Sequence, residues 1–275
     1  MELYSQEPLG QANAEAQIKA LATFEHGLFR PEKCDVHEPV RERFNPEDLR
    51  EPVRWLSQPG GQFTFRRNTP PRVGGYISNL RFLEIRTRES EGAPWIPAKP
   101  RFPEPLFLTR WVVWLDAAGA RKQGTAGLKR FLVQMFQVSM CEYGFLTTEE
   151  DHRKKNFRVI QEGASTLESY VGTDPEKGVP GLYWMNLFGP TYANWLGREK
   201  LQLAVGIHEL LPNGSVFLQF GDALETCSSP EILRQQRDAL KVLGEEKFFD
   251  IENPARQIQS PFIPTTGLHP QSKTN

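Results

Sequence analysis

Prolines divide this chain into short segments and thereby limit the folds that are open to it. Residues 90–105 (SEGAPWIPAKPRFPEP) hold five prolines in sixteen residues, and residues 31–61 hold five more. Proline inside a helix removes a hydrogen bond and clashes with the preceding turn, so no long helix can run through either stretch. Because the chain also contains 22 glycines beside its 22 prolines, we expect many turns and long connections rather than a helical bundle.

Helical spacing of apolar residues is present outside these stretches. It predicts a short helix over residues 13–29 and a longer one over 127–144, which Gly144 would end. A serine cap at Ser229 followed by Pro230 predicts the start of another helix.

Strands are predicted wherever apolar and polar residues alternate, over 62–67, 76–88 and 106–115. Pro212-Asn213-Gly214 lies between two apolar runs and predicts a hairpin, because Asn-Gly accepts the positive φ of a tight turn. Strands mixed with helices, without regular βαβ alternation, predict an α+β fold with a mixed or antiparallel sheet, hairpins and several packed helices. We expect a single domain over 1–275, with a loose N-terminal leader (about 1–12) and a C-terminal tail (about 254–275).

The most aromatic stretch, residues 178–197 (GVPGLYWMNLFGPTYANWLG), carries no charged residue, histidine or cysteine. Phe188, Tyr192 and Trp195 share one helical face at i, i+4 and i+7, with Pro190 in the first turn. We interpret the stretch as scaffold whose rings pack inward, and not as the wall of an active site. That interpretation favours a binding protein over an enzyme.

Charge and cysteine usage predict the compartment. The 33 basic and 34 acidic residues nearly cancel, so no overall bias toward nucleic acid or a membrane surface exists. Cys34, Cys141 and Cys227 are odd in number and form no C-x-x-C, which is typical of thiols in a reducing cytoplasm. The N-terminus has no secretory signal pattern, and no apolar run is long enough to span a membrane. We therefore expect a cytoplasmic protein.

Catalytic motifs are missing from the sequence. It contains no G-x-S-x-G elbow, no phosphate-binding loop and no paired histidines, so we expect no catalytic residue, no cofactor and no metal site. Arginines and aromatics interleave in FTFRR and RFLEIRTR, but acidic residues dilute them, and ordinary strands explain them better than nucleic-acid binding.

Two acidic groups keep an enzymatic alternative open. The carboxylates of the run Glu149–His152 are numerous enough for a divalent cation, although the basic residues that follow favour a solvated surface. Glu245-Glu246-Lys247 has the E-x-K form of a metal-dependent nuclease, with Asp222 as a possible partner acid. A metal-dependent hydrolase with a dispersed carboxylate site is therefore the alternative function.

The order of motifs in the second half of the chain resembles a known family. EYGF follows an apolar helix, then come GVPGLYWMNLFGPTYANWLG, a strand pair around LPNG and a helix that runs into FF. Over roughly residues 127–250 this order is similar to bacterial immunity proteins, the cognate inhibitors encoded beside type VI secretion and other polymorphic toxins.

The resemblance implies a protein without an active site, cofactor or export signal that occludes a secreted toxin acting in the cytoplasm, with a nuclease as the expected toxin. Acidic loops would then face a basic cleft, and aromatic residues would anchor the complex. The candidate partner contacts are Glu149, Glu150, Asp151, Trp95, Phe102, Glu245 and Glu246. A non-catalytic adaptor of a secretion system is the second alternative.

Overall fold

The computed structural model describes residues 1–7, 9–80, 109–162, 165–173 and 178–254, together with Arg256, Ile258 and Pro261. The helices in this part are α1 (Gln11–Thr23), α2 (Arg50–Ser57), α3 (Ala117–Val138), α4 (Glu149–Asn156), α5 (Pro190–Leu196), α6 (Arg198–Leu203) and α7 (Pro230–Leu243). The strands are β1 (Glu2–Ser5), β2 (Lys33–Asp35), β3 (Glu42–Arg43), β4 (Gln62–Arg67), β5 (Val73–Asn79), β6 (Thr109–Leu115), β7 (Cys141–Leu146), β8 (Phe157–Glu162), β9 (Ser165–Tyr170), β10 (Met185–Phe188), β11 (Ile207–Leu210) and β12 (Val216–Gln219).

Within these ranges, ten strands form one antiparallel sheet in the order β11-β12-β10-β7-β1-β6-β5-β4-β2-β3. β8 and β9 pair with each other in a separate hairpin. The predicted α+β class is confirmed, and the sheet is antiparallel.

The N-terminal residues are not a loose leader, so that expectation is wrong. β1 lies in the middle of the sheet and pairs with β6 on one side and β7 on the other. Its side chains alternate between the two faces, and Leu3 and Tyr4 are both buried. After β1, α1 begins at Gln11. A strand this short carries little sequence signal, because its stability comes from partners more than 100 positions away.

Two hydrophobic clusters cover the two faces of the sheet. The first packs α1, α2 and α3 against one face and includes Leu3 and Trp111. The second packs α5, α6 and α7 against the other face and includes Tyr4 and Tyr143. β1 contributes to both clusters, so it ties the two layers together.

Several predicted elements are confirmed. β4 matches the predicted strand over 62–67, and β11 and β12 form the hairpin around Asn213-Gly214. α5 carries Pro190 in its first turn, and α7 begins after Ser229, whose hydroxyl accepts a hydrogen bond from the backbone N–H of Ile232 at 3.3 Å.

α3 extends beyond the predicted helix at its N-terminal end, but its backbone is not helical at Gly124 (φ 61°, ψ 177°), so the segment after Gly124 starts close to the predicted position 127. The N-terminus of α3 lies at Ala117 because the Asp116 carboxylate accepts a hydrogen bond from the Gly119 N–H at 2.7 Å, which caps the helix. The predicted C-terminal end is wrong. α3 ends at Val138, and Gly144 lies inside β7 instead of at a helix end. A Cβ at Gly144 would lie 2.5 Å from Leu3 Cδ2, so glycine is needed there for the close approach of β1.

The aromatic stretch is scaffold, as predicted. Tyr183, Trp184, Phe188 and Tyr192 are fully buried, and Trp195 packs at the edge of the second cluster. The three cysteines are also buried and form no disulfide. In the described part of the chain, every helix is too short or too polar to cross a membrane. The strand predicted over 76–88 overlaps the end of β5, and its residues 81–88 lie outside the described residues, as does nearly all of the expected C-terminal tail.

Candidate functional site

A cleft of about 590 Å³ lies in the middle of the sheet, beside the N-terminal end of β1. The backbones of Met1 and Val113 exchange two hydrogen bonds of 2.9 Å, and β6 then continues past Met1 through Trp114 and Leu115. On the other side of β1, the chain leaves β7 after Leu146 and enters α4. Residues at these three strand ends line the cleft, among them Met1, Leu115 and Leu146.

Trp114 forms an exposed aromatic wall of the cleft. It faces Gly74 across the β5–β6 ladder, and 46% of its surface is exposed. A Cβ at Gly74 would lie 2.1 Å from Trp114 Cζ2, so only glycine allows the indole to lie this close to β5. Gly74 therefore positions the ring while much of it stays accessible.

Another part of the lining of the cleft is a group of three side chains from α4 and β9. Glu149 and His152 are three positions apart and so share a face of α4. Tyr170 of β9 donates a hydrogen bond from its hydroxyl to Glu149, and its ring stacks on His152 with a centroid separation of 4.6 Å. Burial and this hydrogen bond raise the pKa of Tyr170 to about 12, so the phenol stays a donor at neutral pH.

His152 is a nearly buried polar group in the lining of the cleft. It is only 9% exposed and contacts Phe145 and Tyr183 edge to face at 5.4 and 5.8 Å. Burial lowers the pKa of His152, which keeps the imidazole neutral at neutral pH. Its Nε2 is buried and makes no hydrogen bond within the described part of the chain. Buried polar atoms in proteins normally have a hydrogen-bond partner, so this enclosed, unpaired nitrogen is an exception in the lining of the cleft.

The charges deeper in the cleft neutralise each other. Arg110 Nη2 donates to Glu2 Oε2 at 2.8 Å, and the Tyr4 hydroxyl also donates to Glu2. Glu2 is buried, whereas Glu149 is exposed at the rim. Glu149 is therefore the carboxylate of the cleft that an incoming group can reach.

The acidic run predicted to contact a partner contains two exposed carboxylates and one buried carboxylate. Glu149 lines the cleft, and Glu150 lies beside it on the exposed surface, paired with Lys154 at 2.6 Å. Asp151 is fully buried and pairs with Lys155 at 2.7 Å. The amide N–H of Asp151 also caps α4 by donating to the Thr148 hydroxyl. Asp151 is thus structural, and we do not keep it among the candidate contacts.

The other predicted contacts are not part of the cleft. Glu245 and Glu246 are exposed in a 3-10 turn after α7, and neither of them lines the cleft. Lys247 of the same turn donates to the backbone carbonyl of Trp195 at 2.7 Å, which fastens the turn to α5. Trp95 and Phe102 lie outside the described residues.

Among the described residues, no group of three or more His, Cys, Asp or Glu side chains is arranged to hold a metal ion. Of the alternative E-x-K set, Lys247 is engaged with Trp195, and Asp222 accepts a hydrogen bond from Thr125 through its backbone carbonyl. Sequence reasoning missed Glu2, Arg110, Trp114 and Tyr170. Only Trp114 had a signal in the sequence. Trp111 and Trp114 are three positions apart on β6, so their side chains point to opposite faces of the sheet.

A second exposed surface lies at the β11 edge of the sheet. Four of its aliphatic side chains are exposed, and we refer to them as the edge surface: Leu203, Val205, Ile207 and Leu210. β11 is the terminal strand on this side, so the outward backbone groups of the strand face solvent.

Comparison of the chain with protein-family models, curated proteins and solved structures finds no match. Membership of the immunity-protein family therefore stays a prediction that rests on the motifs.

Proposed function

We propose that this protein is an immunity protein that binds a cognate secreted toxin and occludes it. One observation carries the proposal: the exposed acid Glu149 lines a cleft that exposes Trp114 and Tyr170, and a second exposed acid, Glu150, follows it on α4. Tryptophan and tyrosine are enriched among the residues that dominate binding energy at protein interfaces, and flanking charges steer the partner.

A nuclease acting in the cytoplasm is the toxin that this surface suits best. Nucleases bind the phosphate backbone through basic side chains, so an acidic rim complements their active-site cleft. Under this proposal the protein is not an enzyme, needs no cofactor, and meets its toxin in the cytoplasm.

The test is a pull-down of the tagged protein from its native host, with co-purified proteins identified by mass spectrometry. We expect one stoichiometric partner that is toxic when expressed alone and harmless beside this protein. The double variant Glu149→Gln/Glu150→Gln should recover less of it, whereas Glu231→Gln, which removes an exposed acid of α7, should recover the wild-type amount.

Two other outcomes would replace the proposal with its alternatives. Recovery of the protein alone, carrying a stoichiometric divalent metal, would favour the hydrolase. A stoichiometric partner that is not toxic would favour an adaptor of a secretion system.

A further inference from the structure

Aromatic rings, a carboxylate and an unpaired imidazole nitrogen meet in the cleft, and this combination selects a particular ligand group. Trp114 offers an exposed ring face, and an indole is the best of the aromatic side chains at binding a cation over its face. The ligand group is therefore expected to be flat or compact, and positively charged.

The hydrogen-bonding capacity of Glu149, His152 and Tyr170 indicates which kind of cation fits the cleft. A carboxylate has acceptor sites for several donors, so the bond from Tyr170 leaves Glu149 able to accept more. A neutral imidazole has one acceptor nitrogen, and His152 Nε2 has no partner among the described residues. Glu149 can thus accept a donor in the structure as it stands, and His152 Nε2, which is enclosed, can accept one once the ring turns toward the cleft.

Guanidinium fits these two acceptors better than ammonium does. It is planar, stacks on aromatic faces and carries five N–H donors in a fixed fork, whereas a lysine ammonium is a strongly hydrated point charge with three donors. Because Arg110 is already paired with Glu2, the charges left at the cleft are those of Glu149 and of the Met1 amine, whose pKa is lowered by burial.

On the basis of the toxin-inhibitor function proposed above, we propose that the cleft receives one arginine side chain of the toxin, stacked on Trp114 and hydrogen bonded to Glu149 and His152. An arginine that binds phosphate in a nuclease is the natural candidate. Its capture would remove that arginine from the substrate site, which gives the occlusion a chemical basis.

The first experiment needs no toxin. The peptides acetyl-Gly-Arg-Gly-amide, acetyl-Gly-Lys-Gly-amide and acetyl-Gly-citrulline-Gly-amide are titrated into the full-length protein, and NMR follows the indole of Trp114 and the imidazole of His152. Citrulline keeps the shape of arginine but carries no charge. We expect saturable shifts with the arginine peptide, weaker ones with lysine and none with citrulline.

Variants test whether the named residues carry the effect. Glu149→Gln should weaken the binding of the arginine peptide about tenfold, since it replaces a charge-assisted hydrogen bond by a neutral one. Glu231→Gln is the matched control and should leave the affinity unchanged, because Glu231 is exposed on α7 and does not line the cleft. Both side chains are exposed, so neither change should impair folding.

The outcomes separate the two proposals. Equal responses to arginine and citrulline, or no response to either, would overturn the arginine site even if a toxin is recovered in the pull-down. Arginine-specific binding with recovery of no toxin would keep the site and overturn the immunity function.

Discussion

The position of Trp114 depends on one glycine in the neighbouring strand. Gly74→Ala adds a methyl group that would lie 2.1 Å from the indole, so the ring must move out of the wall of the cleft. We expect a shift in tryptophan fluorescence and a loss of arginine-peptide binding of severalfold. Gly10→Ala is the control, because no heavy atom lies within 4 Å of its added Cβ. Unchanged binding in Gly74→Ala would show that Trp114 is not a contact.

The titration of His152 is expected to make the stability of the protein depend on pH. Its pKa is lowered in the folded state by burial, so below the ordinary value of about 6.5 the unfolded chain binds more protons than the folded protein. The free energy of unfolding should therefore decrease as the pH falls through and below about 6.5. The charged groups that act on this imidazole are Glu2, Glu149, Arg110 and the N-terminal amine.

We expect His152→Gln to lose that part of the pH dependence. Urea denaturation of wild type and variant at about pH 7.5 and about pH 5.5 measures it, since the ordinary histidine pKa lies between these two values. Equal decreases in the free energy of unfolding for both proteins would assign the effect to another group.

The same substitution should lower the free energy of unfolding far more in a central strand than in an edge strand. Leu3 of β1 is fully buried, so Leu3→Ala should lower the free energy of unfolding by about 2–5 kcal/mol. Leu210 of β11 is 61% exposed, and Leu210→Ala should change it by less than about 0.5 kcal/mol. Urea denaturation of both variants checks this. A small effect at Leu3 would contradict the central position of β1.

Elements with local signals could be predicted from the sequence. β4 alternates, α7 has a serine cap and a proline start, and Asn213-Gly214 marks a hairpin. β1 could not be predicted in this way, because four residues carry no measurable period and the pairing partners are distant. Gly144 was misread because a glycine after an apolar run resembles a helix end, while its actual role is to allow the approach of Leu3.

The cleft could be predicted only in part. The acidic run predicts Glu149 and Glu150 as partner contacts, but it predicts Asp151 equally, and Asp151 is buried against Lys155. Burial of one carboxylate among three depends on the helix face that meets the core, and the charge pattern alone does not show that. Glu2 and Arg110 lie on β1 and β6, which only the sheet order makes neighbours, and Tyr170 lies on the separate β8–β9 hairpin, so no local pattern joins the three.

At the scale of the whole molecule, the two hydrophobic clusters share one sheet and are expected to unfold together. Leu56 belongs to the first cluster and Leu243 to the second, and both are fully buried. Each leucine replaced by alanine should lower the midpoint of one common thermal transition. Calorimetry and far-UV circular dichroism measure this. A second transition that keeps the wild-type midpoint in Leu243→Ala would show that the clusters are independent.

The central position of β1 also sets the order of events during protein synthesis. Met1 and Val113 are hydrogen-bonded neighbours separated by 112 positions, and the partners in β7 come later still. At about 5–20 residues per second, translation of that interval takes roughly 6–22 s. During this time β1 has left the ribosome but has neither neighbour, so Leu3 and both edges of the strand are unpaired. A chain paused before β6 is therefore the form that chaperones and proteases should recognise.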